Sequence, residues 1–470
     1  MTTCIRPLLL ACLCLALALP LRAQVTSPPE YQALAKELLR ELVEINTTHS
    51  TGNTTRAAEA MATRLRAAGF PAGDIFVGGP LPDRGNLVAR LRGRETGRPP
   101  ILLLAHIDVV EADPADWSLD PFKFIEKDGY FYGRGSTDDK DEAAIHVANL
   151  IRMKREGFVP DRDIIVALTA DEEGGDNNGV EWLLANQRPL IQAAYALNEG
   201  GGGMAESGKR VANTVQASEK VYLSFTLEAT NPGGHSSLPV QKNAIYELMQ
   251  ALLAVQQHHF PVQLNDVTRA YFGRTAGIVG GPMGEAMRRV LANPQDAAAA
   301  AVLADEPAYN ARLRTTCVAT QLQGGHAENA LPQRARANVN CRILPDHDPA
   351  DVQRTLTGLA QPVGVSVTPV QPPRPSPPSP LTPEVLGPVE RITESMWPGV
   401  KVVPVMSTGA TDGLYLRNAG IPVYGVSGIF GDIADNRAHG KDERMRSEWF
   451  FEGQEFLYRL VRALSTAGVS

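Results

Sequence analysis

The chain has 470 residues, of which 43% are hydrophobic and 21% are charged, and its formal net charge is −7. A chain of this length is too long for one ordinary hydrophobic core, so two domains are expected. The acidic balance gives no electrostatic reason to expect a nucleic acid as a partner.

The first 23 residues have the pattern of a signal peptide. Arg6 precedes an apolar run from Leu8 to Leu19, which is followed by Pro20 and the small residue Ala23. This pattern predicts cleavage near Ala23 and an exported protein, either periplasmic or secreted. The alternative is a membrane anchor, but the run is shorter than the roughly 20 residues that a spanning helix needs. No stable membrane span is therefore expected after removal of the signal.

Loss of that segment leaves Cys317 and Cys341 as the cysteines of the mature chain. Two cysteines do not make a disulfide scaffold. They flank Asn329 at similar distances along the chain, in a predicted hairpin-like pair of strands, so we expect them to lie near each other. A disulfide bond and two buried thiols both remain open, and export makes oxidation feasible.

Helices and strands alternate through the first half of the chain. The helical pattern occurs at 31–46, 140–155 and 178–187, and apolar strand patterns occur at 87–91, 100–105, 164–170 and 195–197. This alternation predicts an α/β fold, with a mostly parallel sheet covered by helices on its faces.

The pattern changes near Gln216. Residues 221–227 alternate with period two, which is typical of a sheet with one open face. A helix at 243–257 and strands at 317–323, 334–343 and near 363–370 follow, so the sequence predicts a small inserted α+β domain. Residues 260–315 are expected to be irregular apart from an Ala-rich helical stretch at 297–304.

The Pro-rich run at 371–380 must be extended and is expected to lead the chain out of the insert. The predicted organisation is therefore a signal peptide (1–23), a first part of the catalytic domain (24–215), an inserted domain (216–371) and a second part of the catalytic domain (372–470).

Residues of metal-ligand type occur in five segments, and three of these segments follow an apolar strand. The segments are His106–Asp108, Asp138–Lys140, Asp171–Glu173, Asn198–Glu199 and the stretch around His439. Ligands of parallel sheets gather at the carboxyl ends of the strands, so the carboxylates of the first, third and fourth segments should converge on one edge. Imidazoles and carboxylates suit zinc, and one bridging carboxylate can hold two ions. Asp108 is better placed to accept the second ring N–H of His106 than to bind metal.

Eight motifs then make the chain resemble the di-zinc peptidase family (M20) of aminoacylase, glutamate carboxypeptidase, carboxypeptidase S and succinyl-diaminopimelate desuccinylase. The motifs are AHIDVV (105–110), GRGSTDDK (133–140), TADEEGG (169–175), LNEGGG (197–202), GGHSSLP (233–239), ENALPQRARANVNCR (328–342), STGATDG (407–413) and HGKDE (439–443). The resemblance implies a three-layer α/β/α catalytic domain with an inserted α+β lid, or dimerisation, domain.

The resemblance also implies roles for individual residues. His106, Glu173, Glu199 and His439 are implied as terminal ligands of two zinc ions, and Asp138 as the bridge. Catalytic roles fall to Glu172 as general base, to Asp108 beside His106, and to His235. Substrate contacts fall to His235, Asn329, Arg342 and Gly409.

Two positions depart from the family pattern. Asp141 stands where Gly usually follows Lys140, and Asn340 stands where Asp usually precedes Arg342 by two residues. Neither residue is an implied ligand, so both departures bear on substrate specificity. Lys140 itself is interpreted as a solvated or ion-paired residue.

These features predict an exported metallohydrolase that cleaves an amide bond in a small peptide or an N-acyl amino acid. Carboxypeptidase, dipeptidase and N-acyl hydrolase activities remain open, and Co²⁺ or Mn²⁺ could replace Zn²⁺. A non-catalytic binding protein on the same fold is the alternative from another class, although no ligand or base is missing.

The resemblance further implies that His235 acts across the interface of a homodimer formed through the lids. The edge strand of a small open sheet can pair with its symmetry mate. Alternatively, residues 260–315 cover that edge and leave a monomer that supplies its own histidine.

Overall fold

A computed structural model describes residues 25–94 and 97–466 of the chain. The predicted signal peptide lies outside the described residues. The helices are α1 (Pro29–Glu44), α2 (Thr54–Ala67), α3 (Lys140–Arg155), α4 (Gly179–Asn186), α5 (Arg188–Ile191), α6 (Ala244–Gln257), α7 (Asp266–Val279), α8 (Gly281–Ala292), α9 (Ala297–Ala304), α10 (Pro307–Leu313), α11 (Pro349–Ala360), α12 (Pro383–Met396), α13 (Gly413–Asn418) and α14 (Ser447–Ser465).

The strands fall into a large sheet, a four-stranded sheet and two small ribbons. They are β1 (Ile75–Gly78), β2 (Asn86–Leu91), β3 (Ile101–His106), β4 (Ile125–Lys127), β5 (Tyr130–Tyr132), β6 (Ile164–Thr169), β7 (Tyr195–Asn198), β8 (Gly203–Glu206), β9 (Lys209–Glu219), β10 (Val221–Thr230), β11 (Gly234–His235), β12 (Thr316–Gly324), β13 (Ala330–Leu331), β14 (Arg334–Ile343), β15 (Val365–Pro369), β16 (Lys401–Ser407), β17 (Val423–Gly425), β18 (Phe430–Asp432) and β19 (Arg444–Arg446).

The large sheet has ten strands in the order β1-β2-β6-β3-β7-β17-β9-β8-β18, with β16 also paired to β9. Its centre is parallel, because β3 pairs in parallel with both β6 and β7. The continuous apolar runs of β3 and β6 are buried at every residue, as strands covered on both faces require. The predicted strands at 100–105, 164–170 and 195–197 are confirmed as β3, β6 and β7.

Helices cover both faces of this sheet. One face packs Leu103 and Val166 against α1, α2, α3, α12 and α14, and the other packs Leu102 and Ile165 against α4 and α13. Neighbouring residues of a strand point to opposite faces, so each central strand feeds both cores. The predicted three-layer α/β/α arrangement is confirmed.

The second sheet is antiparallel, in the order β12-β14-β10-β15. Alternate residues of β10 and β14 pack against α6 and α11, as the period-two pattern predicts. The preceding strand, β9, belongs to the large sheet as far as Glu219. We therefore propose that the first boundary of the inserted domain lies between Glu219 and Val221 rather than at 215/216.

Residues 260–315 are not irregular, so that prediction was wrong outside the Ala-rich stretch, which is α9. Four helices, α7 to α10, form a small core of their own. Helix α7 packs Tyr271 and Ile278 against β16 of the large sheet. The segment therefore covers part of one face of the large sheet, and no pairing or core cluster of the described residues joins it to the β12 edge of the four-stranded sheet.

Cys317 and Cys341 lie opposite each other on β12 and β14 and form a disulfide bond. Of the two alternatives for these cysteines, the structure has the bond. The partners are separated by 24 residues, so the bond restricts a short loop of the unfolded chain.

Replacing both cysteines by Ser is expected to lower the free energy of unfolding by about 3 kcal/mol, because the unfolded chain regains the entropy of that loop. Urea unfolding of wild-type and double-variant protein measures the difference. Two thiols that label in denatured, unreduced wild-type protein would contradict the bond itself.

No helix in the described part of the chain combines the length and the apolar character that a membrane span requires.

Candidate metal centre

Three neighbouring strands of the large sheet deliver polar side chains to one edge. His106 is the last residue of β3, Glu172 and Glu173 follow β6, and Glu199 follows β7. Because these strands are parallel and adjacent, their carboxyl ends meet at the same edge.

Two loops complete the site. Asp138 lies in the turn before α3, and His439 lies in the loop between β18 and β19. His439 and Asp171, the residue before Glu172, adopt the left-handed backbone conformation, with φ of 61° and 55°. This conformation is uncommon for residues other than glycine and is worth noting beside a candidate site.

Asp138 lies between the two imidazoles. Its Oδ1 is 2.9 Å from Nε2 of His106, and its Oδ2 is 3.1 Å from Nε2 of His439. The same His439 nitrogen is 2.8 Å from Oε1 of Glu173. A carboxylate held between two ring nitrogens has the arrangement of a bridging ligand.

Two sets of three residues could each hold a metal ion, because the ligand atoms of each set all lie within 4.8 Å of one another. One set is His106, Asp138 and Glu173, and the other is His106, Glu172 and Glu199. Tetrahedral zinc sites with bonds of about 2.0–2.2 Å place their ligand atoms roughly 3.3 Å apart. The donor set and its spacing therefore fit divalent cations that accept nitrogen and oxygen.

The electrostatics of the centre call for a cation. Burial, together with the charge of Glu199, raises the pKa of Glu172 well above its usual range. Burial and the neighbouring Asp138 raise the pKa of Glu173 to about 7. Hydrogen bonding to Asp138 and the charge of Glu173 raise the pKa of His439 to about 9. Clustered carboxylates of this kind are costly unless positive charge compensates them.

Asp108 contacts both the His106 ring and the backbone of the Glu172–Glu173 segment. Its carboxylate oxygens accept hydrogen bonds from the backbone N–H groups of Glu172, at 3.1 Å, and Glu173, at 2.9 Å. Nδ1 of His106 lies 3.1 Å from the carbonyl oxygen of Asp108 and 3.6 Å from its carboxylate. Asp108 thus orients both the imidazole and the segment that bears the proposed base.

Comparison with known proteins agrees with this centre. Peptidase family M20/M25/M40 matches the chain over residues 102–463. The chain belongs to this family. It is therefore a hydrolase of peptide or other amide bonds, and its relatives act on peptides or N-acyl amino acids.

Three similar proteins illustrate the range of the family. The human N-fatty-acyl-amino acid synthase/hydrolase PM20D1 is 25% identical over 455 residues, covering 93% of this chain and 89% of the relative. The metallo-carboxypeptidase Sso-CP2 from Sulfolobus solfataricus shares the fold, with 17% identity, a TM-score of 0.68 and coverage of 92% of this chain and 99% of that one. The YXEP protein of Bacillus subtilis, a dinuclear metal-binding peptidase, has 12% identity, a TM-score of 0.58 and coverage of 93% and 99%.

A buried ion pair that the sequence did not reveal holds the GRGST segment of this family member. Glu443 is fully buried and accepts hydrogen bonds from the Arg134 guanidinium at 2.6 Å, from the Gly135 N–H at 3.1 Å and from the Thr137 N–H at 2.8 Å. It therefore fixes the turn that presents Asp138. The only sequence signal was the position of Glu443 four residues after His439.

Replacing Arg134 by Met is expected to lower the free energy of unfolding by about 3–5 kcal/mol, since it leaves the Glu443 carboxylate buried without its partner. Metal affinity should fall by roughly 10- to 100-fold, because Asp138 loses its support. Thermal unfolding and metal titration measure the two effects. The control is Arg66→Met, at an exposed pair with Glu59, where less than about 1 kcal/mol is expected. Equal effects of the two substitutions would contradict the positioning role.

The predicted substrate contacts lie elsewhere. His235 and Asn329 are exposed neighbours beside the β11–β13 ribbon, where the Ser236 N–H donates to the Asn329 carbonyl oxygen at 3.0 Å. Arg342 lies on β14 with its guanidinium 4.7 Å from the Tyr222 ring, and Gly409 lies in the loop after β16. In the described part of the chain, no hydrogen bond or ion pair joins His235 to the five candidate ligands.

The prediction that Lys140 is solvated or ion-paired is wrong. This residue is fully buried, and its Nζ donates to the carbonyl oxygens of Leu42, at 2.9 Å, and Ile45, at 3.0 Å. It is therefore neither solvated nor, within the described residues, part of a salt bridge. Burial lowers the pKa of Lys140 to about 7. Its position ties the end of α1 to the start of α3.

Proposed function

We propose that the chain is an exported di-zinc hydrolase that cleaves the amide bond of a small peptide or an N-acyl amino acid. The observation that carries the proposal is the Asp138 carboxylate held between the ring nitrogens of His106 and His439, with further carboxylates around it. Zinc is favoured by the mixed nitrogen and oxygen donors, and Co²⁺ or Mn²⁺ would be accepted by the same set.

The ligand assignment follows the observed proximities. His106 groups with Glu199, His439 groups with Glu173, and Asp138 contacts both imidazoles. We assign the first pair to one ion, the second pair to the other, and Asp138 to the bridge. Bound there, two such ions would supply a water of lowered pKa and would polarise the substrate carbonyl.

Three side chains are assigned proton transfer, positioning and stabilisation of the oxyanion. Glu172 would accept the proton of the attacking water and return it to the leaving amine. Asp108 keeps Glu172 in place through the backbone, and His235 would donate a hydrogen bond to the developing oxyanion.

Substrate recognition is assigned to the inserted domain and the loop after β16. Arg342 is a two-pronged donor suited to a substrate carboxylate. Its Nε donates to Oδ1 of Asn340 at 3.3 Å, so the departure at Asn340 leaves the guanidinium without a carboxylate at that contact. Asn329 and the backbone at Gly409 would complete the subsite.

A substrate screen tests the proposal. Zinc-loaded protein is incubated with dipeptides and N-acyl amino acids, and amine release is measured alongside metal content. Hydrolysis of at least one class by protein with two ions per chain is expected. No turnover of any amide would favour the non-catalytic binding protein. A mature N-terminus at residue 24 would support export.

We further propose a homodimer formed through the four-stranded sheet, in which His235 serves the partner's site. Within the described residues β12 pairs only with β14, so its outer edge is open. Val318 and Leu322 on this strand are 61% and 65% exposed. An open edge with exposed apolar side chains is suited to pairing with a second copy.

Mixing two inactive variants tests the action of His235 across the interface. Glu172→Gln chains and His235→Ala chains are each expected to lose activity, and mixed dimers should regain up to one active site each. Subunit exchange is verified with differently tagged chains. Exchange without recovered activity would refute the partner role and leave action within one chain.

A further inference from the structure

The loop that follows β16 carries Gly409, one of the proposed substrate contacts. The tip of this loop is accessible, because Gly409 is half-buried and Ala410 is exposed. Thr411 at the end of the loop is buried, with 7% exposure. Ser407 at the start accepts the Gly409 N–H on its hydroxyl oxygen at 3.0 Å. The position of the accessible tip therefore depends on what holds its two ends.

Both ends are bound by the strand that leads into the inserted domain. The backbone N–H of Lys220 donates to the Ser407 carbonyl oxygen at 3.1 Å. The Thr411 hydroxyl donates to Oε2 of Glu219 at 3.0 Å. Glu219 is the last residue of β9, and Val221 is the first residue of β10 in the four-stranded sheet. The loop is thus attached where the chain crosses from one domain to the other.

The Glu219 carboxylate is fully buried, and both of its oxygen atoms have partners. Oε1 accepts from the Ser376 hydroxyl at 2.7 Å and lies 3.1 Å from Nη1 of Arg417. Oε2 accepts from Thr411 and, at 3.3 Å, from the Gln216 carboxamide. Ser376 lies in the Pro-rich run between β15 and α12, where the chain leaves the inserted domain. One carboxylate therefore contacts both crossings and the loop.

Glu219 has no role at the metal centre itself. Within the described residues, it belongs to neither of the two sets that could hold a metal ion. The ion pair with Arg417 compensates its buried charge, and both side chains are almost fully buried. The Thr411 hydroxyl is the donor that links this charge to the accessible loop.

The residue after Thr411 contacts the catalytic side of the molecule. Asp412 accepts from the Thr169 hydroxyl at 3.1 Å and from the Asn178 carboxamide at 2.5 Å. Thr169 is the last residue of β6, three positions before Glu172. The loop therefore connects the crossing between the domains to the segment that bears the proposed base.

We propose that Glu219 is a positioning residue for substrate recognition. Through the Thr411 hydroxyl it holds the Gly409 loop where the loop receives the carboxylate of the substrate's leaving residue. The inference rests on the proposed hydrolase function. A hydrogen bond to a charged group is roughly twice as strong as one between neutral groups, so this contact can fix an otherwise accessible loop. Misplacement of a binding group by about 1 Å can cost up to about a hundredfold in rate.

Substrates that differ only at the carboxylate test the inference. N-Acetyl-L-leucine and L-alanyl-L-leucine are each compared with their C-terminal carboxamides. The wild-type protein is expected to prefer the free acids by about a hundredfold in kcat/KM, the scale of two hydrogen bonds to a charged group. Thr411→Val should lower this preference by about tenfold, the scale of one such bond, through a higher KM for the free acids and with kcat and metal content unchanged.

Two further variants control for the loss of a buried hydroxyl. Thr411→Ser keeps the hydroxyl and should keep the preference. Thr393→Val removes the hydroxyl of a fully buried threonine on α12, which accepts from the Asn213 carboxamide at 2.9 Å, and should not change the preference. A wild-type protein without preference, or an unchanged preference in Thr411→Val, overturns the inference.

A double-mutant cycle tests whether Thr411 acts through Glu219. Glu219→Met combined with Arg417→Met replaces the buried ion pair by apolar side chains, a change that buried pairs often tolerate. In this background Thr411→Val should have no further effect, because the acceptor of the hydroxyl is already missing. An equal effect in both backgrounds would show that Thr411 acts without Glu219 and would overturn the inference. If the Met variant does not fold, Thr411→Val and Thr411→Ser still decide whether the hydroxyl positions the loop.

Binding separates failure of this inference from failure of the hydrolase. Calorimetry on metal-loaded Glu172→Gln protein compares the Kd values of the same four ligands with and without Thr411→Val. Weaker binding of the free acids alone supports the inference even if no substrate is turned over. Hydrolysis with an unchanged preference refutes the positioning role and leaves the hydrolase intact. Unfolding or metal loss in Thr411→Val at an unchanged preference would identify the contact as purely structural and overturn the inference.

Discussion

Replacing Glu172 by Gln is expected to lower kcat by about 10²- to 10⁴-fold, the usual contribution of a positioned general base. Gln keeps the size of the side chain and cannot accept the proton of the attacking water. The backbone N–H of residue 172 still donates to Asp108, so the segment should keep its position. Metal binding should persist, because the five proposed ligands are unchanged.

Steady-state kinetics and elemental analysis of the same preparation measure this effect. Glu448→Gln serves as the matched control, since that side chain is 70% exposed on α14. Its kcat should equal that of the wild type. A near wild-type rate for Glu172→Gln with two ions bound would show that another group accepts the proton.

The central strands of the large sheet were predictable, because a strand that is buried on both faces has a continuous run of apolar residues in the sequence. The apolar runs of β3 and β6 are bounded by polar residues, and helix α3 begins and ends where its pattern predicts. The strand ends then place His106, Glu173 and Glu199 together by topology alone. This part of the site needs no knowledge of the loops.

Strand β9 and most of the helices between residues 260 and 315 escaped prediction. Strand β9 spans 11 residues of mixed polarity, because buried polar side chains such as Asn213 and Gln216 interrupt its apolar pattern. Helices α7 and α8 are separated only by Gly280, and their apolar residues face a local core that includes Phe272 and Met287. This core and the packing of α7 against β16 hold the segment in place.

The support of the site was also beyond the sequence. Arg134 and Glu443 are 309 positions apart and meet only in the folded chain. Lysine is usually a surface residue, yet the ammonium group of Lys140 donates hydrogen bonds to two carbonyl oxygens inside the protein. Long-range pairs of this kind carry no local pattern, so a single sequence cannot reveal them.

Replacing Asp138 by Asn is expected to remove both ions and nearly all activity. The carboxylate contacts both imidazoles, and the hydrogen bonds from His106 and His439 outweigh its burial and hold its pKa well below the usual range. It is therefore the most firmly ionised carboxylate of the centre. Asn offers one neutral acceptor oxygen and cannot bridge two cations with comparable strength.

The neighbouring Asp139 is the natural comparison for this substitution. It is 2% exposed and accepts from the His106 backbone N–H, so it supports the centre without lying between the imidazoles. Asp139→Asn should cost roughly 10- to 100-fold in metal affinity or activity, as expected for a positioning partner, and Asp138→Asn should cost more. Metal titration, elemental analysis and kcat are measured for both variants at equal zinc concentration. If Asp138→Asn retains two ions, or if Asp139→Asn is the more damaging change, the bridge is not Asp138. Loss of one ion from Asp138→Asn with substantial activity would instead show that a single ion suffices for the chemistry.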